Sequence, residues 1–163
     1  MKRYLLLAFS LVAIVASSVA PSSPARAWGS VGCSNAGVAG RWGYTYTGTL
    51  ILPTGAVPVA SVGHFAQDAS GNVNGTQSRS VGGGQALEVV TGKITVNADC
   101  SAAGTFKVYQ GGVFQRSADI AFVYDNNTNH IRGIFRDLVL SNGASVPLVV
   151  TIDGNRTFHD GDH

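Results

Sequence analysis

Charge is scarce in this chain: 12% of its 163 residues are Asp, Glu, Lys or Arg, with eleven basic side chains against nine acidic ones. Three of the basic ones, Lys2, Arg3 and Arg26, lie in an N-terminal segment with the pattern of a secretory signal. Lys2 and Arg3 precede the apolar run Tyr4–Ala16, and a Ser/Pro-rich stretch follows, ending in the small-residue cleavage pattern Ala25-Arg26-Ala27. Cleavage after Ala27 leaves 136 of the 163 residues, with eight basic against nine acidic. Sequence-independent nucleic-acid affinity comes from Lys and Arg neutralising phosphates, so this balance excludes a nucleic-acid partner. Long apolar runs are missing too. The run of about thirteen residues at Tyr4–Ala16 falls short of the roughly 20 needed to cross a bilayer as a helix, and no later stretch approaches that length, so no membrane anchor is expected.

Cysteine is limited to two residues, Cys33 and Cys100. Without histidines nearby they make a poor zinc site, and in an exported protein they are expected to form a disulfide closing a 67-residue loop. Other absences bear on chemistry. There is no nucleophile elbow with a Ser/His/Asp order and no phosphate loop, because Gly82-Gly83-Gly84 separates two apolar stretches instead of opening a helix. Hydrolase and kinase readings are excluded, and neither a cofactor nor a metal site is expected. The terminal His159-Asp160-Gly161-Asp162-His163 holds metal-type side chains, but residues 157–163 read as a disordered, solvated tail. Asn-x-Thr triplets at Asn74, Asn126 and Asn155 are glycan acceptors only along a eukaryotic secretory route.

What the chain does contain is a period of two. Apolar residues alternate with polar ones, and nearly every ten residues a cluster of Gly, Asn, Asp, Ser or Pro interrupts them. The pattern predicts eight strands, at 42–52, 57–66, 73–81, 86–98, 104–109, 113–124, 130–140 and 145–152. The stretches between them are short and rich in residues that tolerate positive φ or form local turns, as in Asp68-Ala69-Ser70-Gly71-Asn72 and Asp125-Asn126-Asn127-Thr128-Asn129. Consecutive hairpins imply antiparallel neighbours in chain order. Eight such strands close most simply into an up-and-down barrel over residues 28–156, all-β and single-domain, with a two-sheet β-sandwich as the alternative.

In the first strand Trp42, Tyr44 and Tyr46 share one face, and Gly43, Thr45 and Thr47 take the other. In the sixth, Phe114, Arg116, Ala118, Ile120, Phe122 and Tyr124 share a face, and Phe135 joins them from the seventh. These aromatic rows are read as the inside of the barrel, either as plain core or as the lining of a ligand cavity, with Trp42, Tyr44, Tyr46, Phe114, Arg116, Phe122, Tyr124 and Phe135 as the candidate ligand-binding set. A bulge near Gly43 or Gly48 would exchange the two faces of the first strand. Two ionisable residues are candidates for catalysis. Glu88 shares parity with Val90 and Ile94, which would point it inward, where loss of water would raise its pKa and suit it to proton transfer; its place near a strand end leaves the wet rim as the other reading. His64 alternates with Val62 and Ala66.

Gly40-Arg41-Trp42 at the entry to the first strand is similar to the Gly-x-Trp entry of lipocalins. Asp125 after the sixth strand resembles the acidic residue of their second motif, and Arg156 beyond the eighth resembles the arginine that packs over that tryptophan. This resemblance implies a lipocalin-like, or calycin, barrel without the family's C-terminal helix, since few residues follow Ile152. Over nearly the whole mature region the chain also resembles secreted bacterial small β-barrel proteins that bring no assigned activity. The match lies in Cys33-Ser34-Asn35, then Gly43, Tyr44 and Tyr46-Thr47-Gly48-Thr49, and later Gly92–Cys100.

The function expected from all this is a secreted or periplasmic barrel that takes a small, mostly apolar molecule into its interior. One alternative is a cofactor-free cyclase or isomerase, similar to the allene oxide cyclase barrels, acting through Glu88 or His64. Another is an envelope or interaction protein without a pocket, in which outward apolar residues such as Ile51 or Val149 make a homo-oligomer.

Overall fold

The computed structural model describes residues 32–157, so the expected signal segment 1–27 and all of the expected tail except Thr157 lie outside the described residues. A single helical turn, α1 (Asn35–Val38), precedes eight strands: β1 (Gly40–Leu52), β2 (Gly55–Gln67), β3 (Asn72–Val81), β4 (Gly84–Val96), β5 (Ser101–Gln110), β6 (Val113–Asp125), β7 (His130–Leu140) and β8 (Leu148–Arg156). Each strand pairs antiparallel with its sequence neighbours, and β1 pairs with β8, so the sheet closes on itself as an up-and-down barrel. Closure satisfies the backbone groups that two sheet edges would leave open. The sandwich alternative is not what forms.

β1 runs against both of its neighbours without a register shift, so neither Gly43 nor Gly48 carries a bulge and Trp42, Tyr44 and Tyr46 all turn inward. The irregularities lie elsewhere. Opposite the Val108/Tyr109 step, Arg116 pairs with Val108 while Phe114 pairs with Tyr109, leaving Gln115 as the extra residue. Along β7, Ile120 pairs with Phe135 and Asp119 with Asp137, leaving out Arg136. An extra residue reverses strand parity. Phe114 is thereby turned to the outer surface, where its ring meets Tyr109 at 5.8 Å between centroids, while Phe135 and Leu138, three apart, both face inward. β8 begins at Leu148, three residues later than expected, because Ser145 makes only an isolated bridge to Val139 and Val146 donates its N–H to Leu138 instead. It also runs on to Arg156. Thr157, expected in the tail, still donates its N–H to the Arg41 carbonyl.

Eight strands enclose just enough width for side chains, and strand glycines decide where the large ones fit. A Cβ on Gly63 would lie 2.9 Å from Tyr44 Cζ, one on Gly92 2.7 Å from Phe106 Cδ1, and one on Gly133 2.9 Å from Phe122 Cδ1. Aromatic rings therefore occupy room that the glycines of adjacent strands vacate.

One end of the barrel is sealed. Ser34 caps α1 by accepting a hydrogen bond from the Gly37 N–H, and Val38 and Trp42 have no exposed surface. The Trp42 indole N–H donates to the Val38 carbonyl at 3.1 Å, and the Arg156 guanidinium lies 5.3 Å from its ring centroid. Asn35 ties the turn to the wall, donating to the Ser70 carbonyl and accepting from the Val96 N–H. The disulfide Cys33–Cys100 fastens the same end, with Cα atoms 5.0 Å apart. At Gly71, with φ +86°, a Cβ would sit 2.1 Å from the Ile94 carbonyl, so the β2–β3 hairpin can tuck under the floor only as glycine.

Candidate functional site

The interior above this floor is divided in two. The deeper chamber, walled by Tyr44, Phe65, Phe106, Phe122 and Ile152 among others, has a volume of only about 50 Å³, room for a few waters on the usual measure. The outer space, a vestibule at the open end, measures about 310 Å³, the lower limit of the ~300–1,000 Å³ typical of small-molecule pockets. Its walls are aliphatic, with Leu50 and Leu52 from β1, Leu138 from β7, Val146 from the β7–β8 loop, and Leu148 and Val150 from β8. Tyr46, Arg116 and Phe135 border both spaces and form the partition between them. Tyr46 and Phe135 meet edge to face at 5.2 Å.

A polar network occupies the partition. Glu88, 3% exposed, accepts two hydrogen bonds from the Arg116 guanidinium, both at 2.7 Å, one from Arg79 Nε at 2.8 Å and one from Gln77 Nε2 at 2.6 Å. Gln77 in turn accepts from the Tyr44 hydroxyl at 2.8 Å and donates to the Tyr46 hydroxyl at 3.3 Å. Burial would push the Glu88 carboxyl up, as the sequence suggested, but the bonds from Arg116, Gln77 and Arg79 outweigh it and hold the group below its ordinary value. Burial likewise pulls Arg116 down, and the carboxylate more than reverses it. Desolvation raises both Tyr44 and Tyr46, so the phenols stay neutral. Glu88 is thus a fixed anion with its lone pairs occupied, an arrangement that suits holding arginines in place and gives a weak proton acceptor.

The candidate residues named from sequence fall into four groups. Tyr44, Tyr46, Arg116, Phe122 and Phe135 line the interior spaces. Trp42 and Tyr124 are buried below them as part of the floor, meeting at 5.5 Å, with the Tyr124 hydroxyl donating to Gln67 Oε1 at 3.1 Å. Phe114 is outside the barrel, displaced by the β6 bulge. His64 is exposed on the outer face of β2 near Thr76, so the wall separates it from Glu88 and the two cannot act on one substrate. The sequence pattern does not single out Gln77 and Arg79. Their signal is a shared parity with Val73 and Val81, partly hidden because the other face of β3 is polar as well.

Two further features lie off the site. Asp125 at the end of β6 is no isolated loop acid: it bonds His130 Nδ1 at 2.5 Å and pairs with Arg132, while His130 Nε2 reaches Asp153 at 2.9 Å. The outer wall carries exposed apolar side chains around much of its girth, among them Val62, Leu87 and Val89 on β2 and β4, Val123 and Ile134 on β6 and β7, and Ile51 and Val149 on β1 and β8. Among the described residues no helix is long and apolar enough to cross a membrane, and no group of three His, Cys, Asp or Glu side chains is placed to hold a metal ion.

No protein-family model and no curated protein matches the chain. Among solved structures it is similar to EF1p2_mFAP2b bound to DFHBI, at 16% identity and a TM-score of 0.52, covering 74% of this chain and 94% of that one. It is also similar to mFAP1, a redesigned β-barrel bound to DFHBI, at 19% identity and a TM-score of 0.48, over 73% of this chain and 94% of that one. The S-type phycobiliprotein lyase CPES from Guillardia theta follows, at 9% identity and a TM-score of 0.39, over 75% of this chain and 89% of that one. At these identities the likeness is one of fold: the chain is a closed, eight-stranded, antiparallel up-and-down β-barrel.

Proposed function

We propose that this chain is an exported, lipocalin-like carrier whose vestibule takes up one small, mostly apolar molecule. The observation that carries the reading is the aliphatic vestibule of about 310 Å³, open to solvent at one end and floored by a polar partition. Binding would draw on removal of apolar ligand surface from water, worth roughly 25 cal/mol per Å². Phe135 and Tyr46 set how deep the ligand goes, because the chamber beneath them is too small for it. EF1p2_mFAP2b, of the same fold, was solved with DFHBI, so barrels of this shape can hold a small molecule. Export fits the leader pattern at residues 1–27 and the Cys33–Cys100 disulfide, which an oxidising compartment preserves.

Native mass spectrometry of the protein from its own host tests this. A reproducible added mass of a few hundred daltons, lost on denaturation, is the expected result. An empty protein that also takes up no apolar compound in titration would sink the reading. The exposed Val62, Leu87 and Val89 favour a second one, in which the outer wall docks another copy of the chain. Light scattering behind size exclusion separates the two, since the carrier reading requires no oligomer.

A further inference from the structure

The charges around the vestibule floor do not balance. Arg79 and Arg116 face a single carboxylate, Glu88, and no other acidic side chain lines either interior space. Arg116 spends both terminal nitrogens on Glu88, whereas Arg79 gives it only Nε. The two terminal nitrogens of Arg79 make no hydrogen bond among the described residues, and its side chain borders the vestibule and keeps 20% of its surface exposed. One positive charge with unused donors therefore stands at the bottom of an aliphatic pocket.

We infer that the vestibule selects an amphiphile with a monovalent carboxylate head, seated head-down on Arg79 with its single apolar tail against Leu50, Leu138 and Leu148. This deepens the carrier reading and rests on it. A guanidinium offers paired N–H donors that match a carboxylate, and a charge-assisted bond in a partly dry site is stronger than a neutral one. A cationic head would meet the excess positive charge, and a neutral hydroxyl would forgo the attraction. A second carboxylate on the ligand would go unpaired, since Glu88 already takes the remaining charge.

Isothermal titration of the purified protein at neutral pH with decanoate, decanol and decyltrimethylammonium tests this, the three sharing one tail. Decanoate is expected to bind about tenfold or more tighter than decanol, with the ammonium weakest, a gap of the size one charge-assisted bond supplies. Arg79→Gln should bring decanoate down to the affinity of decanol measured on the same variant, and Arg79→Lys, which keeps the charge but not the paired donors, should restore only part of the preference. Decanol equal to or tighter than decanoate, or an unchanged ratio in folded Arg79→Gln, overturns the inference while leaving the carrier reading intact. Failure of all three ligands to bind overturns the inference, and the carrier reading falls with it when native mass spectrometry also finds the protein from its own host empty. Should Arg79→Gln not fold, the wild-type ratio decides alone.

Discussion

At one end of the barrel Trp42 is fully enclosed, with Val38 accepting its N–H, Tyr124 against its edge and Arg156 over its ring. At the other end Leu50, Leu52 and Leu148 are only partly buried and look into open space. The same alternating strands build both, so the difference comes from what is added. The closed end receives a helical turn, a disulfide, an asparagine clasp and an arginine lid; the open end receives short glycine turns and a loop whose Val146 tucks in at the rim. Stability is therefore concentrated at the end away from ligand, and the vestibule can remain unfilled because the floor does not depend on it.

Removing the crosslink tests this division most severely. Replacing Cys33 and Cys100 together by Ser should lower unfolding free energy by roughly 4 kcal/mol, the chain-entropy value for a loop of 67 residues. Ligand affinity at the vestibule should stay within about twofold in the fraction still folded, each twofold being a small part of the 1.4 kcal/mol that a tenfold change represents. Denaturant midpoints and titration measure the two quantities separately. A large loss of affinity in the folded variant would show that the ends are coupled. Next in size, Trp42→Phe keeps a ring but loses the bond to Val38 and weakens the arginine contact, for an expected cost of about 1–2 kcal/mol.

Substitutions at the open end should behave in the opposite way. Leu148→Asn removes an aliphatic wall without disturbing a filled core, so stability should fall by about 1 kcal/mol or less. Affinity for an apolar ligand should fall about tenfold, since a side chain of that size offers roughly 1.5 kcal/mol of contact. An unaltered affinity would place the ligand somewhere other than the vestibule.

Much of this architecture could be read from the chain. Eight alternating runs separated by turn residues give the barrel, and the parity of Trp42, Tyr44 and Tyr46 gives the inner face of β1 because no bulge interrupts it. The disulfide and the position of Arg156 over Trp42 were likewise legible. Strand parity misplaces Phe114 because a bulge at Gln115 leaves no mark in an apolar pattern that looks continuous. Glu88 takes the inward of the two places its strand position leaves open, yet its carboxyl is held below its ordinary value where burial alone would raise it. The deciding partners are Arg79, 9 positions upstream across the β3–β4 hairpin, and Arg116, 28 positions downstream on β6, which reaches Glu88 only because β4, β5 and β6 curve around one interior. Gln77 is silent in the sequence for a related reason, since a polar residue among polar neighbours becomes informative only once the face it occupies is known.

The smallest expected effect belongs to pH, at the closed end. His130 is raised from its ordinary value near 6.5, chiefly by its bond to Asp125 with Asp153 adding to it. Burial would raise Asp125, but His130 and Arg132 reverse this and hold it below 3.8. A raised histidine contributes stability that is whole below its unfolded pKa and disappears as pH climbs through the folded one. A lowered carboxylate contributes stability that is whole above its unfolded pKa and disappears as pH falls through the folded one. The cluster should therefore help most between about pH 4 and 6.5, with losses on both sides. Because Asp125 and His130 are only partly covered and Asp153 and Arg132 are exposed, salt should shrink the effect. Melting temperatures measured from pH 6 to 9 at low ionic strength should decline in the wild type and decline less in His130→Asn, while vestibule affinity at pH 6 should be the same in both. Equal slopes would show that the Asp125–His130–Asp153 bridge contributes nothing to holding the barrel shut.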